Sequence, residues 1–308
     1  MKIRARKVNN YDLYANHAWY VPGLKGMLAL LGWFLVGNLL GSLVVVIFGL
    51  FVPEQVILDY SMLVVYPLSF LPAMVYAANK SQRNSLFEKG YKLNSSHFGL
   101  FKGWHLAILT VVLTFAFMFV ADYPNYLNYE ITTRNPLMKE FYDVLMETLE
   151  KMTGGPLWSS FLLTAIFAPI FEEWLCRGMV LRGLLTKMKP VWAIVVSALF
   201  FAIIHMNPWQ ALNAFAIGLV MGFVYYKTGS LWLTMLIHFV NNATSVIVSQ
   251  IPYFDGVEYW RDILPAETYT EVCLMSLICL VCCLLLFNLI PVKQKWGNID
   301  EVSLVEEE

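Results

Sequence analysis

Charge is what this sequence lacks most. Only 14% of its 308 residues are Asp, Glu, Lys or Arg, where a soluble chain carries about 25%, and 58% are hydrophobic. Such a chain cannot cover a water-facing surface, so the two soluble domains that its length would allow are excluded. A surplus of one sign is missing too. The formal net charge is −1, which excludes nucleic acid as a partner and argues against a disordered chain, since both need excess charge. Cysteine is scarce and badly placed for cross-linking: Cys176, Cys273, Cys279, Cys282 and Cys283 lie in apolar stretches, so no structural disulfides are expected. Cys279, Cys282 and Cys283 share one helical face, but no His or carboxylate stands nearby to complete a metal site. Packing inside a membrane helix accounts for them. Internal repeats and low-complexity tracts are also missing.

What the chain has is long apolar runs. A membrane-spanning helix needs about 20 mainly apolar residues, and eight runs qualify: 27–52, 60–78, 103–121, 157–175, 191–206, 210–226, 231–248 and 272–290. The expected fold is all-α, a polytopic membrane bundle of about eight transmembrane helices, with residues 1–308 as a single membrane domain. The N-terminal MKIRARK resembles the start of a signal peptide, but the apolar run after it is too long and no cleavage site follows, so a retained anchor is expected. Seventeen of the 21 lysines and arginines fall on alternate segments, leaving only Arg134, Lys139, Lys151 and Arg261 on the other side. Positive charge is retained inside, which puts both termini in the cytoplasm.

Residues 122–156 form the longest segment between runs, on the extracytoplasmic side. Within it Leu137, Phe141, Leu145 and Leu149 recur four apart, the spacing of an amphipathic helix over about 136–152. Its polar face carries Glu140, Asp143, Glu147 and Glu150. An acidic face is not drawn to anionic lipid, so a cap packed over the bundle is expected.

Two carboxylates stand out, Glu172 and Glu173 in the apolar passage FAPIFEEWLCRGMVL. A charge at bilayer depth costs roughly 2.5 to 3.5 kcal/mol even on lenient scales, so the pair needs partners or a wet cavity. Glu173 precedes Arg177 by four residues and can be neutralised by it. Glu172 points about 100° away around the helix and has no such arginine, which leaves it free to accept a proton. His205 and His238 lie in two further runs. His238 shares a face with Asn242, so an imidazole and an amide could offer donors to one oxyanion, and His205 has the aromatic Phe201 one turn earlier. Each feature alone has a plain structural explanation, a salt-bridge cluster at a helix end or hydrogen bonds between helices.

Taken together, Glu172-Glu173-x-x-x-Arg177, Phe201-x-x-x-His205 and His238-x-x-x-Asn242 resemble the three ordered motifs of the CAAX-protease and bacteriocin-processing (CPBP, or Abi) family of intramembrane endopeptidases, relatives of the eukaryotic type II CAAX prenyl endopeptidase. The resemblance covers a core of about 157–244. It implies that Glu172, assisted by His205, activates an attacking water, that His238 and Asn242 hold the tetrahedral intermediate, and that Glu173, Arg177 and Phe201 keep the site in shape. It further implies a peptide or membrane-protein substrate and a bacterial plasma membrane. No cofactor is needed for this chemistry. The alternative is a divalent metal such as zinc on Glu172, His205 and His238, with Glu173 as base, since three protein ligands suit a catalytic ion; no HExxH occurs. Cys176, inside the first motif, is set aside as a nucleophile. Two other functions remain open: a non-catalytic scaffold or bacteriocin-immunity protein, and a proton-coupled transporter, for which the inverted repeats are missing.

One expectation concerns depth. With a rise of about 1.5 Å per residue, a helix ending at residue 175 puts Glu172 near the cytoplasmic end while His205 lies near the outer one. The groups meet if the helix continues to about residue 185, or if Pro169 kinks it.

Overall fold

The computed structural model describes residues 22–80, 100–153, 155–185, 188–254 and 259–292, with residues 3–4, 257 and 305–306. The basic N-terminal segment, apart from Ile3 and Arg4, lies outside the described residues. Besides two single 3-10 turns, Pro252–Phe254 and Trp260–Asp262, nine longer helices are found there: α1 (Leu24–Phe48), α2 (Glu54–Lys80), α3 (Gly103–Thr132), α4 (Pro136–Thr153), α5 (Leu157–Leu185), α6 (Pro190–Ile204), α7 (Pro208–Thr228), α8 (Leu231–Val248) and α9 (Ala266–Asn288). Two residues at each end, Ile3–Arg4 and Val305–Glu306, pair as a minimal antiparallel ladder. Seven of the helices are long and apolar enough to cross a membrane, and α6 is a shorter apolar helix of 15 residues. The chain is therefore an all-helical, multi-pass membrane bundle.

Between helices in lipid, close packing and hydrogen bonds replace the hydrophobic effect as the source of cohesion. The α1/α2 hairpin shows this directly. Gly37 and Gly41 face α2, and a Cβ on Gly37 would lie 2.4 Å from the Ser69 carbonyl oxygen, so nothing larger than hydrogen fits. On α7, Gly218 and Gly222 let α6 approach in the same way, with Ala198 and Ile194 as neighbours. Large apolar side chains such as Leu39, Leu43 and Val46 on α1 stay exposed, as a lipid-facing surface requires.

Helix α5 is the axis of the fold. It packs against α2, α6 and α8, and 56% of its most apolar stretch is buried against no more than 39% for any other span. Its winding is irregular: the segments Leu162–Phe167 and Trp174–Leu181 are π-helical, with a short α-helical piece, Ala168–Glu173, between them. Pro169 has no N–H to give the preceding turn, and wide turns of this kind gather at functional positions. Helices α7, α8 and α9 pack around α3.

Several boundaries differ from the sequence expectation, each at a charged residue. Helix α5 runs on to Leu185 rather than stopping near 175, because Arg177 and Arg182 are buried within the bundle instead of marking its surface. Helix α3 continues past Asp122 to Thr132; the Asp122 carboxylate is satisfied by the Trp260 N–H at 3.0 Å and the Tyr269 hydroxyl at 2.8 Å. Helix α7 includes Lys227, whose ammonium donates to the Asn288 carbonyl oxygen at the C-terminal end of α9, 2.8 Å away.

Helix α4 occupies the amphipathic stretch, but its apolar face turns differently from the fourfold spacing. Leu137, Phe141 and Val144 are exposed, while Tyr142 and Leu145 are half-buried. The rings of Phe141 and Tyr142 both meet that of Trp209, and Tyr142 also meets Tyr129. The side chains of Leu149 and Glu150 lie outside the described residues.

Candidate active site

Helix lengths bring the polar groups to one level. From Glu172 to the end of α5 is a climb of about 20 Å, and from the start of α6 to His205 about 22 Å, at 1.5 Å per residue. Since α6 returns alongside α5, the end of the short α6 meets the middle of the long α5. The depth conflict thus disappears with the longer helix, and His205 stands at the C-terminal cap of α6 rather than inside a span. Past it the chain reverses sharply. Met206 has a φ of 50°, the one non-glycine residue with positive φ among the described residues. Asn207 then caps α7, its Oδ1 accepting from the N–H groups of Trp209 and Gln210.

Glu173, fully buried, accepts from Arg177 at 2.6 Å. Arg177 also donates to the Gly218 carbonyl oxygen at 3.1 Å and stacks over the Phe201 ring, 4.4 Å from its centre. The Phe201 ring stands edge-on to both His205 and His238. One aromatic ring thus sets the relative position of a cation and two imidazoles.

Both imidazoles have a defined orientation. His205 Nδ1 lies 2.7 Å from the Phe201 carbonyl oxygen and His238 Nδ1 lies 3.3 Å from Glu173 Oε1. A carbonyl only accepts, and so does a carboxylate held by arginine, so each Nδ1 carries a hydrogen and each Nε2 is left facing the cavity, an acceptor on a singly protonated ring and a donor on a doubly protonated one. Those two Nε2 atoms lie 3.7 Å (His205) and 3.9 Å (His238) from Glu172 Oε2. Both distances exceed a direct hydrogen bond and suit a single bridging water. Glu172 Oε2 is buried without a hydrogen-bond partner, while Oε1 accepts a short bond from the hydroxyl of Tyr66 on α2. The second carboxylate oxygen is therefore the one left for chemistry.

A cavity of about 370 Å³ lies against these groups, bounded by α1, α2, α5, α6, α7 and α8. Glu172, Phe201, His205, His238 and Asn242 all line it, and Glu173 and Arg177 stand behind it. Asn242 is the least free of the sequence candidates: its amide nitrogen donates to the Thr164 carbonyl oxygen at 2.9 Å and its oxygen accepts from Asn241 at 3.0 Å. One N–H of that amide remains for a ligand. Cys176 does not line the cavity, and all five cysteines are free thiols.

Sequence reasoning missed Tyr66, more than a hundred positions from the carboxylate it holds, and the amides of Asn38, Gln210 and Asn213, which line the same cavity. On α7, Gln210 and Asn213 are three apart, so a polar pair on one face of an otherwise apolar run was the available signal.

Residues 154–244 match the family model described as type II CAAX prenyl endopeptidase Rce1-like. Over 97 residues the chain is 28% identical to the "Putative membrane peptidase YdiL" of Bacillus subtilis (strain 168), an overlap of 32% of this chain and 40% of that protein. The chain therefore matches about two fifths of the length of this curated relative. No solved structure matches it significantly. The family resemblance carried by the three motifs is borne out over the stretch that contains them.

Proposed function

We propose that the chain is an intramembrane endopeptidase that hydrolyses a peptide bond of a membrane-associated or peptide substrate with water activated by Glu172. The observation that carries this reading is the meeting of Glu172 Oε2, His205 Nε2 and His238 Nε2, from three helices, beside a cavity of about 370 Å³.

A water between Glu172 and His205 donates one hydrogen to each, which turns an oxygen lone pair towards a carbonyl lodged in the cavity. Glu172 takes one proton as the oxygen attacks. The oxyanion that forms needs donors. When His238 is doubly protonated, Glu173 holds its Nδ1–H and its Nε2–H faces the cavity; the remaining N–H of Asn242 is the second donor. The tetrahedral intermediate collapses as Glu172 returns its proton to the leaving amine, and two carboxyl- and amino-terminal products result. Glu173 and Arg177 act through position, by fixing His238 and Phe201. Tyr66 keeps the Glu172 carboxylate turned so that Oε2 faces the histidines.

One observation favours the metal reading as a second possibility. Both Nδ1 atoms are taken by acceptors, the arrangement that usually orients metal-binding imidazoles, and Glu172, His205 and His238 are the donor set it would use. Among the described residues, however, no three such side chains are arranged to share an ion. The Nε2 to Oε2 separations would have to contract to about 3.3 Å for tetrahedral zinc. An ion held there would supply a more acidic bound water; no step above depends on one.

Cleavage-site proteomics on native membranes tests the function, comparing the intact protein with Glu172→Ala. New termini that vanish in the variant while the protein still inserts are expected. Identical termini in both would refute the protease, and a scaffold or immunity role would instead tolerate Glu172→Gln and His205→Ala in its biological assay. Chelation followed by metal add-back separates the two chemistries.

A further inference from the structure

A second cavity, about 580 Å³ in volume, opens between α3 and α9 at the end of the bundle that carries α4. It shares no lining residue with the Glu172 cavity, and its size falls within the roughly 300 to 1,000 Å³ typical of small-molecule sites. Its walls change character along the helices. Val120, Leu274 and Leu277 make an apolar floor, while Tyr123, Tyr269 and Arg261 make the rim.

The rim sits in a cluster of aromatic rings. Tyr123 stacks near Tyr126, Tyr126 meets Tyr259 edge-on, and Trp260 packs on Phe119. Tyr and Trp gather where hydrocarbon gives way to headgroups. The floor therefore lies at acyl-chain depth and the rim at phosphate depth.

Arg261 is held over this groove rather than left to wander. Asp122 accepts from the Trp260 N–H and the Tyr269 hydroxyl, which ties the segment beside Arg261 to both α3 and α9. The guanidinium lies 3.6 Å over the Tyr126 ring, so one face is occupied, and no ion pair among the described residues uses its N–H edge. Two described carboxylates beside it have other partners: Asp122 as above, and Asp262, which accepts from the Tyr259 N–H at 3.0 Å. A planar, weakly hydrated fork of donors above an apolar slot is complementary to a phosphate diester carrying a hydrocarbon chain.

We propose that this groove binds a glycerophospholipid, its phosphate on the Arg261 guanidinium and one acyl chain along the wall formed by α3 and α9. The site is separate from the proposed peptidase centre and stands whether or not that reading holds. Phosphatidylglycerol and phosphatidylethanolamine both carry the recognised group; diacylglycerol lacks it, and glycerol 3-phosphate lacks the chain.

Native mass spectrometry of the delipidated full-length protein in non-ionic detergent, titrated with each of the four, is the test. Both phospholipids are expected to bind at least about 10-fold more tightly than either diacylglycerol or glycerol 3-phosphate, the order of a charge-assisted hydrogen bond. Arg261→Ala should weaken phospholipid binding by about the same factor, with Arg261→Lys between the two. Thr270→Trp, or Leu274→Trp should the first fail to fold, fills the slot with Arg261 intact and should abolish binding. Equal binding of diacylglycerol, equal competition by glycerol 3-phosphate, or unchanged affinity in Arg261→Ala or in the folded tryptophan variant would each overturn the assignment.

Discussion

Replacing Arg177 by Met removes the cation from a pair in which both side chains have no solvent exposure. The substitution leaves the buried Glu173 carboxylate with His238 as its one remaining hydrogen-bond partner among the described residues. Breaking one side of a buried pair costs about 3 to 5 kcal/mol. The lost stacking on Phe201 adds about 0.5 to 2 kcal/mol, offset in part by the apolar Met side chain. Glu173→Gln alone strands the arginine and should be comparably damaging. The double variant strands neither, so its loss should fall short of the sum of the singles by about 2 to 3 kcal/mol. Equilibrium unfolding in mixed micelles, followed by tryptophan fluorescence, measures all four corners of this cycle. Additivity within about 0.5 kcal/mol would refute the reasoning, because it would mean that the two side chains do not depend on one another. The same single variants should lower cleavage, since Glu173 also holds His238 Nδ1 at 3.3 Å.

Two further outcomes follow from the packing. Gly37→Ala places a Cβ 2.4 Å from the Ser69 carbonyl oxygen and must push the α1/α2 hairpin apart, a loss of about 1 to 3 kcal/mol; Gly32→Ala, on the same helix with open space around it, should not lower the unfolding midpoint. Tyr66→Phe keeps the ring but removes the donor to Glu172 Oε1, so kcat on an identified substrate should fall by about 10-fold or more, in line with one charge-assisted hydrogen bond, with KM little changed. An unaltered kcat would mean that the carboxylate is oriented without it.

The spans and the three motifs were legible because each depends on local spacing. Apolar run length marks a membrane helix, and the four-residue step from Glu173 to Arg177 marks a pair on one face. Helix ends were read less well for a single physical reason: charge was taken to mean surface. Arg177 and Arg182 fall within the buried part of α5, Asp122 within α3 and Lys227 within α7; the Gly218 carbonyl bonded to Arg177, the Trp260 N–H and Tyr269 hydroxyl bonded to Asp122, and the Asn288 carbonyl bonded to Lys227 are all distant in sequence. The same limit hid Tyr66. A tyrosine in an apolar run carries no sign of which carboxylate it serves, because that contact depends on how α2 packs against α5. Asn242 shows the converse. Its spacing from His238 suggested two donors aimed at one point, but one of its amide hydrogens is committed to Thr164 on the neighbouring α5. Spacing along a helix sets a face; the next helix decides what that face is used for.

The central claim is that Glu172 takes a proton from water at the point where three helices meet. Glu172→Gln tests it most directly, because the amide keeps the size of the side chain and can still accept from Tyr66. With a substrate found by proteomics, single-turnover cleavage by the purified variant should fall by about 10² to 10⁴, the range for loss of a general base, while substrate binding is retained. Cleavage at the rate of the intact protein would contradict the account.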